Sequence, residues 1–290
     1  MRSLRWKLTG HALALLATVL LGGLVSATLV RLAPGFDSDE RELDPHLNAQ
    51  SVRALHDARE QHHNVFRFYF QYMKRAVHGD LGTSLALGQP VRTLLRDRTP
   101  LTLRLLAMGL GMAWMLTLTL ALSVAWLRLS VYDTLTTVIS GTFLCIPAAV
   151  LALLSVLWNV PGSLAIALIV FPHTYRYARN LLVKAYTRPH IITARAKGLS
   201  EARILLWHVV PVVTPQLLAV AGVSVSMAMG AAIPVEALCG LAGIGQLAWQ
   251  AALARDLPLL VNITILVTLV TLLANSGADV IGYMVGSQEA

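Results

Sequence analysis

Residues 257–285 read LPLLVNITILVTLVTLLANSGADVIGYMV, an apolar run in which Asp279 is the one charged residue. A helix needs roughly 20 predominantly apolar residues to cross a hydrocarbon core, and this stretch is longer than that. Lipid offers no partners to backbone N–H and C=O groups, so a run of this kind must satisfy them internally as a helix. Working outward, runs of the same character occupy residues 8–32, 101–127, 131–158, 161–182 and 205–233. The pattern predicts an all-α integral membrane protein with about six transmembrane helices.

Composition agrees. Of 290 residues, 56% are apolar and 13% charged, against roughly half and a quarter in soluble domains. The net charge of +8 arises from cations that flank the apolar runs, which points to membrane lipid and to no nucleic-acid partner. Cys145 and Cys239 both lie in apolar sequence without ligand spacing, so neither a disulfide framework nor a zinc site is expected.

Three regions follow. Residues 1–33 begin with Arg2, Arg5 and Lys7 ahead of an apolar stretch, the outline of a signal peptide. Its length, and the further apolar sequence after Ser26, Ala27 and Thr28, predict an uncleaved first helix instead. Residues 34–98 hold nine of the fifteen acidic residues and form an extracytoplasmic loop. Within it, 51–78 carries helix formers and no proline or glycine, predicting a helix that Gly79 and Gly82 then break. Residues 99–285 form a membrane domain that includes a cytoplasmic loop at 184–211. Arg128 and the cations between Arg176 and Arg203 share the side of the N-terminus, whereas 159–163 has no cation and the turn after the fifth run only Arg255. The excess of Lys and Arg in short cytoplasmic loops therefore places both termini in the cytoplasm.

The most informative stretch is 191–211, IITARAKGLSEARILLWHVVP, a basic amphipathic segment between two spans. Ala194, Ala196 and Gly198 permit close backbone approach, and Arg195, Lys197, Glu201 and Arg203 offer charge-assisted hydrogen bonds at a polar rim. Docking on a cytoplasmic partner and adhesion to anionic lipid headgroups both fit these residues.

Thr193, Ala194, Arg195, Ala196, Lys197, Gly198, Leu199 and Ser200, with Glu201 and His208 beyond, resemble the cytoplasmic signature loop of ABC importer permeases in the dipeptide, oligopeptide and nickel branch. Four further segments are similar in order: RLAPG at 31–35, GDLGTS at 79–84, PVE at 234–236 with Gly240, Gly243, Gly245 and Gln246, and RDLP at 255–258. The first, second and fourth, with the long external loop, resemble the first permease of these heterodimeric importers. The resemblance implies the ABC importer type I permease fold and alternating access for peptides, or nickel or another small solute. It also implies a second homologous permease, two ATPase subunits that carry ATP and Mg, and an extracytoplasmic substrate-binding protein. In that family the loop at 193–201 couples nucleotide-driven closure to the transmembrane helices. Ile192 departs from the glutamate of the general signature, Pro211 and Pro215 are spaced as in the second permease, the 159–163 connection is short, and a basic tail after the last helix is missing.

No GxxxxGK[ST] loop occurs, so no such ATP site exists in this chain and no bound cofactor is expected. Candidate pathway residues are Ser224, Ser226, Met227 and Met229 in the fifth run, and Glu236 beyond it, with Gly222 and Gly230 allowing close packing; helix-on-helix packing alone also fits them. Asn262, Asn275 and Asp279 lie in or near the last run, where polar groups need a partner or a wet cavity. His56, His62 and His63 are close in sequence, but adjacent helical residues point apart, so a solvated face is expected rather than a metal site. An intramembrane hydrolase finds no motif here: no catalytic residue is assigned. A membrane receptor or scaffold that recruits a cytoplasmic protein through 191–211 is the remaining alternative.

Overall fold

A computed structural model of the chain describes residues 79–286, together with Leu21, Thr28, Lys74 and Arg75. The expected span 8–32 and helix 51–78, with His56, His62 and His63, lie outside the described residues apart from those four, each of which is helical. Helices are α1 Val91–Leu127, α2 Ser130–Cys145, α3 Ala148–Leu157, α4 Gly162–Ala185, α5 Pro189–Ala196, α6 Glu201–Ile204, α7 Val210–Leu238, α8 Ile244–Leu253 and α9 Leu257–Gly286. A single isolated bridge, Thr83 with Pro90, is the extended pairing among the described residues. The chain divides into two compact units, one from 1–98 and 247–269 and the other from 99–246 and 270–290.

Three described helices are long and apolar enough to cross a membrane: α1, the continuous Glu201–Leu238 and Leu257–Met284; a fourth span is added if α2 and α3 are taken together. The expected span 131–158 is that pair, bent by 94°. Its cause is Pro147, which disfavours the helical region for the residue before it; Ile146 is extended at φ −86°, ψ 120°. The expected span 161–182 is α4, whose second half carries Arg176, Arg179 and Lys184. Residues 91–98, read as the end of the external loop, are the opening turns of α1, which continues through Pro100.

In the larger unit α4 is the core helix. Ile166, Ala167, Val170, Tyr175, Ala178 and Leu182 have no exposed surface, and α7, α2 and α3 pack around them. A Cβ on Gly109 of α1 would lie 2.7 Å from Ile166 Cγ2, so α1 approaches α4 where a side chain is absent. Polar bonds continue along the α2–α4 seam. Arg179 donates to both Asp133 oxygens, through Nε at 2.7 Å and through Nη2. One turn on, the Tyr175 hydroxyl donates to Thr136 Oγ1 at 2.6 Å, and then Ser140 Oγ donates to the Pro172 carbonyl at 3.4 Å. The i, i+3/i+4 spacing on both antiparallel helices puts these groups in one row, so the polar groups of this seam satisfy one another within apolar surroundings.

The smaller unit joins two of the quoted motifs. Gly79 and Gly82 adopt φ of +82° and +74°, conformations open to glycine, and the Asp80 carboxylate accepts from the Gly82 N–H at 2.9 Å. This turn aims Ser84 at Asp256. Both are buried, and Ser84 Oγ donates to Asp256 Oδ2, which also accepts from Ala86 N–H at 3.1 Å. Asp256 Oδ1 accepts the Leu259 N–H at 3.2 Å, capping α9. Asn262, one turn on, donates to the Leu81 carbonyl at 3.0 Å. Asp256→Ala is expected to destabilise this unit by about 2–4 kcal/mol, the sum of a lost cap and a stranded buried donor. The check is protease cleavage at 79–90 in detergent, which should accelerate in Asp256→Ala and much less in Asp256→Asn, since asparagine also caps.

Candidate coupling loop and buried carboxylate

Residues 186–204 cross from α4 to the start of α7. Pro189 opens α5 at its first turn, where a missing N–H costs nothing. Ile191 and Ala194 are buried and anchor this helix inward, while Ile192, Thr193, Arg195, Ala196, Lys197 and Ser200 are exposed. Gly198 ends it at φ +76°, with its N–H donated to the Arg195 carbonyl at 2.8 Å and that of Leu199 to the Ala194 carbonyl at 3.3 Å. A glycine closing a helix in the left-handed region is the common C-terminal stop. Nothing lies within 4 Å of where a Gly198 Cβ would stand. The loop therefore presents Thr193–Gly198 as an uncovered knuckle on an internally anchored base.

Ser200 precedes α6 without a side-chain capping bond, and Glu201 sits in its first turn, where a carboxylate favours the helix dipole. Glu201 Oε1 accepts from Arg195 Nε at 2.8 Å, and Oε2 from Arg128 Nη2 at 3.1 Å. The Arg195 hydrogen bond, against slight desolvation and with the charges of Arg128 and Arg195, holds the Glu201 carboxyl below the usual carboxylate range. A lowered folded value means the bridges are fully charged at neutral pH and are lost only as pH falls through that value.

A π turn, Leu205–Val209, links α6 to α7. Pro211 and Pro215 cannot donate to the carbonyls four residues earlier, and the Val210 N–H reaches the Leu205 carbonyl instead. The stretch read as loop 184–211 is thus helical from Glu201 onward. Leu206 and Trp207 are 58% and 73% exposed on this turn.

Among the expected pathway residues, Ser224, Met229 and Glu236 are buried within the chain and Ser226 and Met227 are half-buried. Ser224 Oγ accepts from Trp114 Nε1 at 3.0 Å. Ser226 Oγ accepts from Asn275 Nδ2 at 3.3 Å, and the Asn275 Oδ1 is buried with no hydrogen-bond partner. A Cβ on Gly222 would come 2.7 Å from the Ala278 Cβ, so this glycine is used in the close approach of α7 and α9.

Glu236 has no exposed surface. Oε1 accepts from Thr102 Oγ1 at 2.7 Å, and Oε2 from the Gly245 N–H at 2.6 Å and the Gln246 N–H at 3.3 Å. Thr102 Oγ1 in turn accepts the Ile244 N–H at 2.8 Å. A carboxylate near the end of α7 thereby caps the N-terminus of α8, with charge and dipole aligned. A Cβ on Gly243 would fall 2.2 Å from Glu236 Oε2, so glycine is required there.

Thr102, Trp114, Arg128, Ser84 and Asp256 were not singled out as site residues by sequence. Thr102 and Glu236 are separated by 134 positions, and neither stretch carries a local signal for the other. The 79–84 and 255–258 motifs were visible separately, but their contact was not.

Residues 117–287 match the family described as binding-protein-dependent transport system inner membrane component. The oligopeptide transport system permease protein OppB of Escherichia coli (strain K12) is 29% identical over 266 residues, 84% of this chain and 85% of that protein. A peptide transport system permease protein of Brucella abortus (strain 2308) is 28% identical over 215 residues, 65% of this chain and 68% of that protein. These matches establish that the chain belongs to the binding-protein-dependent transport system inner membrane component family, as a multi-pass permease subunit of an ABC importer with the type I fold.

Proposed function

We propose that this permease moves peptides across the bacterial cytoplasmic membrane by alternating access, as half of a pore completed by a second homologous permease. Two ATPase subunits supply the energy, carrying ATP and Mg outside this chain, and an extracytoplasmic binding protein delivers the substrate. The observation that carries this reading is the knuckle Thr193–Gly198: exposed, cationic, internally anchored and continuous through Glu201 with a long apolar helix. Force applied there is delivered directly to α7. Both termini and this knuckle face the cytoplasm, as the distribution of Lys and Arg in short loops favours.

Ser226 and Met227, with the unpartnered carbonyl of Asn275, are the groups in this chain most suited to a wet pathway, because a buried amide oxygen without a partner is costly unless water or substrate reaches it. The names of the similar oligopeptide and peptide permeases support peptides as the transported class.

The test is purification in mild detergent through a tag on this chain, with identification and ATPase assay of whatever accompanies it. Recovery of a second permease and ATP-hydrolysing subunits is expected. A lone chain, under conditions that keep a known importer intact, would favour a scaffold.

A further inference from the structure

Arg128 lies in the two-residue break between α1 and α2, at φ +53°, a region that residues with a Cβ seldom adopt. Its N–H closes α1 on the Val124 carbonyl at 3.1 Å. Its side chain leaves the helix pair altogether. The guanidinium carbon stands 4.1 Å above the Tyr186 ring, at the end of α4, and Nη2 reaches Glu201 across 73 residues of sequence. Glu201 is already held by Arg195 from the far side of the Gly198 turn. One carboxylate thus ties three segments: the α1–α2 turn, the first half of the loop and the helix that becomes α7.

Covalent continuity carries a displacement of the loop into α4 on one side and α7 on the other. It carries none directly to the α1–α2 turn. We propose that the Arg128–Glu201–Arg195 cluster is the latch that passes movement of the loop to the α1–α2 turn, making Arg128 and Glu201 positioning residues for energy coupling; this rests on the coupling reading of 193–201. The left-handed backbone at Arg128 and the Tyr186 ring beneath it hold the guanidinium beside Glu201. Arg suits this role because its planar group stacks on the ring while an edge donates to the carboxylate. The paired side chains are 38–44% exposed, so breaking them strands no buried charge and leaves the fold intact.

The test uses the complete complex with Cys145 and Cys239 replaced by serine, carrying a nitroxide at Leu129 or at Lys197, both exposed. Probe displacement is measured without nucleotide and with ATP trapped by vanadate. In the otherwise unaltered complex both probes are expected to move. In Glu201→Gln and in Arg128→Gln the Lys197 probe should move as before, and the Leu129 probe by less than half as far. Undiminished movement at Leu129 in both variants overturns the latch. No movement at Lys197 in the unaltered complex overturns the coupling reading itself, which separates the two failures. If Glu201→Gln or Arg128→Gln prevents assembly, Arg128→Lys poses the same question, since it keeps the charge but loses the planar group that stacks on Tyr186 while donating to Glu201, and the Leu129 movement should again fall.

Discussion

Glu236→Ala is expected to destabilise the solubilised chain by about 3 kcal/mol, because it strands a buried threonine hydroxyl and the leading N–H groups of α8, each worth about 1–3 kcal/mol when left unpaired. For a domain of this size that corresponds to a fall of about 6–12 °C in Tm. Glu236→Gln keeps one acceptor and should recover roughly half of the loss. Gly243→Ala should resemble Glu236→Ala, since its Cβ would occupy the space of the Glu236 oxygens and the carboxylate, pinned by Thr102, Gly245 and Gln246, cannot swing away. Thermal unfolding of the four proteins in one detergent checks the series. An unchanged Tm in Glu236→Ala would show that the carboxylate does not hold α8.

Gly198→Arg is expected to abolish uptake, by more than tenfold, while leaving the amount of chain in the membrane unchanged. Two effects must be separated. A Cβ at φ +76° costs about 1–2 kcal/mol of local strain, but apart from its chain neighbours no described residue lies within 4 Å of that Cβ, so the side chain leaves the backbone into open space. Loss of transport beyond the strain is then expected from a partner on the knuckle. Gly198→Asn isolates the strain term, because asparagine tolerates the left-handed region. The expected order of uptake is wild type, then Asn slightly lower, then Arg near zero, measured beside ATP hydrolysis by the same preparations. Equal loss in Asn and Arg would assign the effect to the backbone.

Legibility in the sequence followed the range of the interaction concerned. The long runs that became α1, α7 and α9 were readable because a local average of apolar residues suffices for them. The run 131–158 was readable as apolar helix but its bend was not, since the 94° turn at Pro147 leaves composition untouched; Pro147 was there to read, but a proline inside a span is often tolerated. The knuckle at Thr193–Gly198 was legible from local spacing and from resemblance. The role of Glu236 was not: its burial and its bond to Thr102 depend on two helices meeting. The same holds for Asp256 with Ser84 and for Arg128 with Glu201, pairs brought together by folding and silent in either stretch alone.

Under the proposed function, movement enters this permease at 193–201 from an ATP-hydrolysing subunit on the cytoplasmic side. Lys197 is exposed at the tip of that knuckle, so an amine-reactive cross-linker applied to the purified complex, followed by identification of the peptide joined to Lys197, tests it directly. A cross-link into a subunit that hydrolyses ATP is expected, reduced severalfold in Gly198→Arg. Cross-links found only to an extracytoplasmic protein, or to lipid amines, with the ATPase present in the same sample would contradict it.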